Sequence, residues 1–217
     1  MIKRLLIALC LFALIGQAQA GSDDAALAQL IHDWDVANFT LQGDAREKAL
    51  AALAERAQVI SSTMPHRAEP LVWQAIVLSS YAGAKGGFGA LKLVTQARDI
   101  LLRAEQIDAA ALHGSVYTSL GSLYYQVPGW PIGFGDDDKA RAYLEKALTL
   151  NPDGLESNYF YGDFLIAERQ YKQAIAVLEK ALAAPPQPGR EVADTGRRQE
   201  VVAAIALARK KMNEPIY

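Results

Sequence analysis

Apolar positions recur along the chain at the spacing of a helix, and no stretch shows sustained alternation of apolar and polar residues. The C-terminal segment shows the helical pattern plainly. Its apolar face consists of Val201, Ile205, Ala208 and Met212. Half-buried strands would need a period of two, which is missing. The pattern therefore predicts an all-α fold.

Two segments repeat each other at an interval of 34 residues. The shared positions are Ala140, Leu144, Ala147 and Pro152 in the first segment and Ala174, Leu178, Ala181 and Pro186 in the second. Ahead of each segment lies another predicted helix with a glycine inside it, Gly121 or Gly162. We expect the glycine to let the paired helices approach closely and the alanines to line the seam between them. Proline would stop the second helix before the next unit begins.

This pattern resembles the tetratricopeptide repeat (TPR), in which Trp-x2-Leu-Gly-x2-Tyr, Ala-x3-Phe and Pro recur with a period of 34 residues. The last copy matches nearly in full, with Asn158 in place of the leading Trp. A weaker copy lies upstream, where Trp73 opens the first helix, Val77 replaces the glycine and Ala109 replaces the proline. The resemblance implies a solenoid of about three helical pairs whose first helices line a concave groove.

The predicted organisation is a signal segment at 1–20 followed by one TPR-like α-solenoid domain at 21–217. We expect the domain to comprise a degenerate helical pair at 23–62, repeats at about 70–110, 114–152 and 155–186, and a capping helix at 191–212. A cap is needed because a terminal repeat has no neighbour to cover its outer side.

The N terminus has the layout of a secretory signal. Lys3 and Arg4 precede an apolar run, and the run ends in a small-x-small stretch that predicts cleavage after Ala20. The mature protein would then be periplasmic or secreted. The apolar run is shorter than the ~20 residues that a spanning helix needs. We therefore expect no membrane insertion.

Charge excludes some classes of partner. The chain has 22 Lys and Arg against 24 Asp and Glu, a net charge of −2, and loss of Lys3 and Arg4 with the signal would make it −4. Such a balance gives no electrostatic attraction to phosphate, so no nucleic-acid partner is expected. The only cysteine, Cys10, lies in the signal segment, so the mature chain would form no disulfide.

No residues stand at catalytic or metal-binding spacing. His32, His66 and His113 lie far apart, and none has a second His or Cys nearby. The acidic run at 136–138 lacks the alternating ligands of an EF-hand. It is better explained as the first turn of a helix, where negative charge complements the helix dipole. We predict no enzymatic activity, no metal and no cofactor.

Two insertions interrupt the repeat between the first and second helices of a pair. Gly121 and Gly162 are 41 residues apart instead of 34, which locates seven extra residues at 127–135. Eight more fall in the upstream copy, at 82–90. Such connections all emerge on the same edge of a solenoid. We therefore expect two long inter-helix loops lying side by side.

Both insertions are glycine-rich and carry aromatic residues, Phe88 in the first and Trp130 and Phe134 in the second. Two interpretations are open. The loops could pack against each other and seal an edge of the core, or they could fold over the concave face and shape a binding site there.

Trp130 is expected to be at least half buried near Tyr124, Tyr125 and Tyr159. A Trp side chain carries on the order of 200 Å² of surface, so leaving it in water forgoes several kcal/mol. If Trp130 is exposed instead, the loop becomes a candidate partner-binding arm.

The TPR resemblance also assigns residues to the concave groove. They are Gln74, Leu78, Tyr81, Thr118, Ser122, Tyr125, Tyr159 and Asp163. This set is aromatic and hydroxylated and has no Lys or Arg, which argues against the basic clamp by which some TPR domains hold a peptide carboxylate. The candidate partner-binding residues are Gln74, Tyr81, Phe88, Thr118, Tyr125, Trp130, Phe134, Tyr159 and Asp163.

The function that this pattern favours is a periplasmic adaptor or scaffold that binds a protein or peptide partner through its groove and edge loops. The stretch 120–165 also resembles exported bacterial TPR proteins of the type associated with the T component of TRAP transporters. That resemblance implies an alternative, a transporter accessory protein that binds a small organic solute.

Overall fold

A computed structural model describes the backbone of residues 2–214 and the side chains of residues 21–214. The predicted signal segment, 1–20, lies outside the residues with described side chains. The described chain is all-α, as predicted. Its helices are α1 (Ile2–Thr40), α2 (Gly43–Thr63), α3 (Ala68–Lys85), α4 (Gly87–Asp108), α5 (Ala111–Gln126), α6 (Asp137–Leu150), α7 (Leu155–Ala167), α8 (Tyr171–Leu182) and α9 (Glu191–Asn213).

The helices form two layers. Within the described residues, each odd-numbered helix contacts the next odd-numbered one, whereas each even-numbered helix packs only against the odd-numbered helices on either side of it in sequence. The odd-numbered helices thus form an inner layer and the even-numbered helices an outer one. Helix α1 also contacts α9, so the two ends of the solenoid meet and the inner layer closes on itself.

The paired helices approach closely at the two predicted glycines. A Cβ atom built on Gly121 would lie 2.6 Å from Leu144 Cγ, and one on Gly162 would lie 2.5 Å from Leu178 Cγ. Neither distance is compatible with a side chain at the glycine position. The rest of the seam consists of fully buried alanines, Ala140, Ala147, Ala174 and Ala181. The predicted role of the glycines and alanines is confirmed.

The expected loop at 82–90 is absent from the described chain, and that part of the prediction is wrong. Helix α3 continues to Lys85 and α4 begins at Gly87, so only Gly86 separates them. Gly86 and Gly87 have φ angles of 66° and 62°, in the left-handed region that favours glycine, and they reverse the chain in minimal length. The extra residues lengthen the two helices instead, and Ala82 near the end of α3 is buried.

The second insertion does form a loop, between the end of α5 at Gln126 and the start of α6 at Asp137. Asp136 is the N-cap of α6, and its side chain accepts a hydrogen bond from the Lys139 backbone N–H at 3.0 Å. Asp137 and Asp138 occupy the first turn. The predicted helix-start role of this acidic run is confirmed.

Helix α5 opens with a left-handed turn. Leu112, His113 and Gly114 have φ angles of 52°, 55° and 82°, a region that non-glycine residues seldom occupy. Regular helix therefore begins after Gly114.

Close packing at the glycine seam predicts that Ala substitution has opposite effects on stability at two helical glycines. We expect Gly162→Ala to lower the free energy of unfolding by about 1–3 kcal/mol, because the new methyl group overlaps the fully buried Leu178. Gly83→Ala should raise it by roughly 0.5–1 kcal/mol, because Gly83 is helical with no atom within 4 Å of the added Cβ. Urea denaturation followed by circular dichroism measures both. Equal effects at the two sites would contradict this account of the seam.

Candidate protein-binding surfaces

The contact between α1 and α9 is built around a buried carboxylate. Asp35 is buried and accepts two hydrogen bonds from Arg190, one of them from Nε to Oδ2 at 3.1 Å and the other from Nη2 to Oδ1. The Arg190 guanidinium lies 5.0 Å from the ring centroid of Trp73 and 5.9 Å from that of Trp34. The Arg190–Asp35 ion pair, with its guanidinium beside the two Trp rings, therefore connects α1 to the start of α9.

Arg197 of α9 packs against Tyr159, one of the predicted groove residues. The Arg197 side chain is buried, and its guanidinium lies 4.5 Å from the Tyr159 ring centroid and 5.0 Å from that of Phe160. Its charge is balanced by Glu156, with Nε and Oε2 2.8 Å apart, and by Glu200. Burial raises the pKa of Tyr159 to about 12, so its hydroxyl stays protonated. Tyr159 is thus engaged by the chain's own α9.

Tyr125 and Asp163, both predicted as groove residues, are brought together. The Tyr125 hydroxyl donates to Asp163 Oδ2 at 2.7 Å, linking α5 to α7. Burial raises the pKa of Tyr125 well above its ordinary value, and the adjacent Asp163 raises it further. Gln126 Nε2 in turn donates to the Tyr125 hydroxyl at 2.9 Å. The Tyr125–Asp163 hydrogen bond therefore connects the first helices of two neighbouring repeats.

The other predicted groove residues do not join this group. Thr118 is buried and donates to the Gly114 carbonyl at 3.4 Å. Tyr81 accepts a hydrogen bond from Lys85 Nζ at 3.1 Å and packs against the apolar core formed mainly by α1, α2 and α3. Gln74 lines a cleft between the outer helices α2 and α4. The predicted groove residues therefore do not form one continuous surface.

The tip of the second insertion is exposed, which makes the burial prediction for Trp130 wrong. Trp130 is 90% exposed and Ile132 is 64% exposed. The site expected for Trp130 is filled by Phe134, whose ring packs edge-on against Tyr124 with centroids 5.6 Å apart. Arg98 of α4 covers the same Phe134 ring at 4.5 Å. The loop thus anchors its base and presents its tip to solvent.

Backbone hydrogen bonds fix the shape of this loop. The Gly135 N–H donates to the Pro128 carbonyl at 3.0 Å, and the N–H groups of Ile132 and Gly133 both donate to the Gly129 carbonyl at 3.1 Å. The Trp130 side chain is therefore carried on a folded turn with a defined course. The peptide bond between Trp130 and the following proline is cis.

The loop lies against the N-terminal part of α4. A Cβ built on Gly133 would lie 3.3 Å from Leu91 Cδ1. One helical turn before Leu91 stands Phe88, which is 97% exposed. Phe88 and the exposed loop tip therefore lie on one edge of the solenoid. We call Phe88, Trp130 and Ile132 the apolar edge.

The α2–α4 cleft begins beside the apolar edge and has a volume of about 920 Å³. Phe88 belongs to its lining. Apolar contacts come from Leu71, Leu91 and Ile100, and neutral hydrogen-bonding side chains come from Gln58, Ser61, Ser62, Gln74, Thr95 and Gln96. The sequence predicted Gln74 and Phe88 as binding residues but did not indicate this cleft, because most of its lining comes from the outer helices α2 and α4, which the TPR resemblance does not assign to a groove.

Residues 21–214, whose side chains are described, offer neither a candidate metal site nor a candidate membrane span. Among them, no group of three or more His, Cys, Asp or Glu side chains could hold a metal ion. Within the same residues, no helix combines the length and apolar character that crossing a bilayer requires.

Comparison with known proteins identifies the repeat and the fold. Residues 132–195 match the family model of the tetratricopeptide repeat. The crystal structure of a thermophilic TPR protein from Thermus thermophilus is similar over 88% of this chain and 95% of that chain, with a TM-score of 0.55 and 18% identity. No curated protein sequence matches the chain. These findings lend no support to the resemblance to transporter T components.

The buried pair of Asp35 and Arg190, which joins the two ends of the solenoid, should contribute measurably to stability. Asp35→Ala should lower the free energy of unfolding by about 3 kcal/mol, because it leaves the largely buried Arg190 without its counter-charge. The matched control is Asp33→Ala, which removes an exposed pair with Arg56 and should cost ~1 kcal/mol or less. Urea denaturation compares the two variants. Indistinguishable midpoints would mean that the α1–α9 contact adds little to stability.

Proposed function

We propose that the protein is an exported adaptor that binds a protein partner through the apolar edge. Residues 132–195 match the tetratricopeptide repeat and the chain has the fold of a TPR protein, which suggests a protein-interaction scaffold. The observation that carries the proposal is the exposure of Trp130 at the tip of a folded loop. Large exposed apolar side chains grouped on one surface mark interaction sites. Trp is also among the residues that contribute most to binding energy at interfaces.

The shape of the loop supports this role. Its base is held by the Phe134 contact and by backbone hydrogen bonds, so little conformational entropy would be lost when a partner covers the tip. Burying Trp130 in a partner would remove on the order of 200 Å² of mainly apolar surface from water. At ~25 cal/mol per Å² this contributes several kcal/mol to binding.

The apolar edge is a better candidate than the predicted groove residues. Among these, Tyr125 is bonded to Asp163, and Tyr159 is covered by Arg197 of α9. Those side chains already have partners within the chain, so a ligand would have to displace them. Nothing in the described chain covers Trp130 in the same way.

We also propose that the protein acts outside the cytoplasm, on the evidence of the signal-like N terminus. The protein recovered from a periplasmic extract should have the intact mass of a chain that begins at Gly21. Replacing Ala18 and Ala20 by Leu should block cleavage, because the small-x-small site is lost, and leave the full-length mass. Recovery of the unmodified chain at full length in the soluble cytoplasmic fraction would contradict the export proposal.

The double variant Trp130→Ala/Ile132→Ala should lose its partner while keeping its stability. Both side chains are largely in solvent, so the free energy of unfolding should change by less than ~0.5 kcal/mol. Affinity capture from a periplasmic extract, read by mass spectrometry, should show a wild-type partner that the variant does not retain.

The matched control is Val202→Ala/Leu207→Ala, which shortens two exposed apolar side chains of α9 away from the loop. It should capture the same partner as the wild type. If the loop variant and this control return the same proteins as wild type, the apolar edge is not the binding surface.

A further inference from the structure

The α2–α4 cleft contains a buried polar side chain with unused hydrogen-bonding capacity. Gln74 of α3 is only 6% exposed, and its Oε1 accepts a hydrogen bond from Ser61 Oγ at 2.8 Å. Among the described residues, no acceptor is bonded to its Nε2, and Gln74 belongs to the cleft lining. Nε2 is not among the fully buried side-chain atoms that lack a partner, so it is open to the cleft and available to an acceptor group on a ligand.

The cleft is also locally positive in a chain of net charge −2. Lys92 and Arg103 both line it, and neither has an ion-pair partner within the described chain. The acidic residue between them, Asp99, is paired with Arg98, whose Nη2 lies 2.7 Å from its Oδ1. Two uncompensated cations thus stand on the α4 wall.

The spacing of these cations suggests the shape of a ligand. Lys92 and Arg103 are eleven residues apart on α4, which corresponds to about 16 Å along the helix axis. An extended peptide advances ~3.3 Å per residue, so about five residues would span that distance. Amide and hydroxyl groups from Gln58, Thr95 and Gln96 are also present in the lining and could bond to a peptide main chain.

We propose that the α2–α4 cleft binds an extended peptide segment of the partner, with acidic side chains about five residues apart. Lys92 and Arg103 pair with the two carboxylates, Gln74 donates to a main-chain carbonyl, and Leu71 and Ile100 contact the apolar residues between. This inference rests on the proposed adaptor function and extends it. Phe88 belongs both to the cleft lining and to the apolar edge, so one partner can occupy both surfaces.

The test uses a displayed library of random nonapeptides selected on the mature protein, residues 21–217. Enriched sequences should carry Asp or Glu about four to six positions apart with apolar residues between them. Synthetic labelled copies are then measured by fluorescence polarisation. Lys92→Glu/Arg103→Glu should weaken binding at least tenfold, and raising the salt concentration should weaken binding to the wild type.

The control Lys48→Glu/Lys172→Glu makes the same change in net charge at two exposed lysines outside the cleft and should bind as wild type. Gln74→Leu should weaken binding several-fold without changing the selected acidic pattern. Thermal melts establish that each variant is folded.

The inference is overturned if no acidic pattern is enriched, or if the cleft variant binds as tightly as its control. It is also overturned if adipate alone displaces the peptides at an affinity equal to theirs, because the cleft would then be a small-solute site. The adaptor proposal fails separately, when Trp130→Ala/Ile132→Ala still captures the partner. Peptide binding that is lost only in the loop variant would place the peptide site at the apolar edge and not in the cleft.

Discussion

The close approach of the two helices within each pair is the constraint on which the architecture depends. At Gly121 and Gly162 there is no room for a side chain, because Leu144 and Leu178 fill the space above the glycine. A pair joined through so thin a seam has apolar surface on both flanks and cannot bury it alone. Stacking of pairs buries it, and stacking puts the odd-numbered helices inside and the even-numbered helices outside.

The sequence predicted those parts of the fold that are encoded locally. The seam follows from small residues at fixed spacing, and the start of α6 follows from an acidic run that begins with its N-cap, Asp136. The form of the first insertion is not encoded locally. Ala82 and its neighbours are compatible with either a loop or a longer helix, and the choice depends on whether α3 and α4 have a surface to bury along the added length. That surface is a tertiary property.

The candidate surfaces were predicted less well, because they depend on competition between distant residues. Trp130 and Phe134 are both aromatic and both near Tyr124 in sequence, and only packing decides which of them fills the space beside that ring. The pairing of Asp35 with Arg190 joins residues 155 positions apart. No spacing rule identifies such a pair. The α2–α4 cleft likewise arises from helices that do not touch each other in the described chain.

The contact between α1 and α9 changes how the array can come apart. An open stack of repeats frays from its ends, since a terminal repeat has one neighbour instead of two. Here the first and last inner helices are neighbours, so the stack has no free end at which fraying starts. Opening any one junction still leaves every helix connected to the rest through the other side of the ring. Partial unfolding must therefore break two junctions at once, which makes the domain more cooperative than a linear array with the same number of repeats.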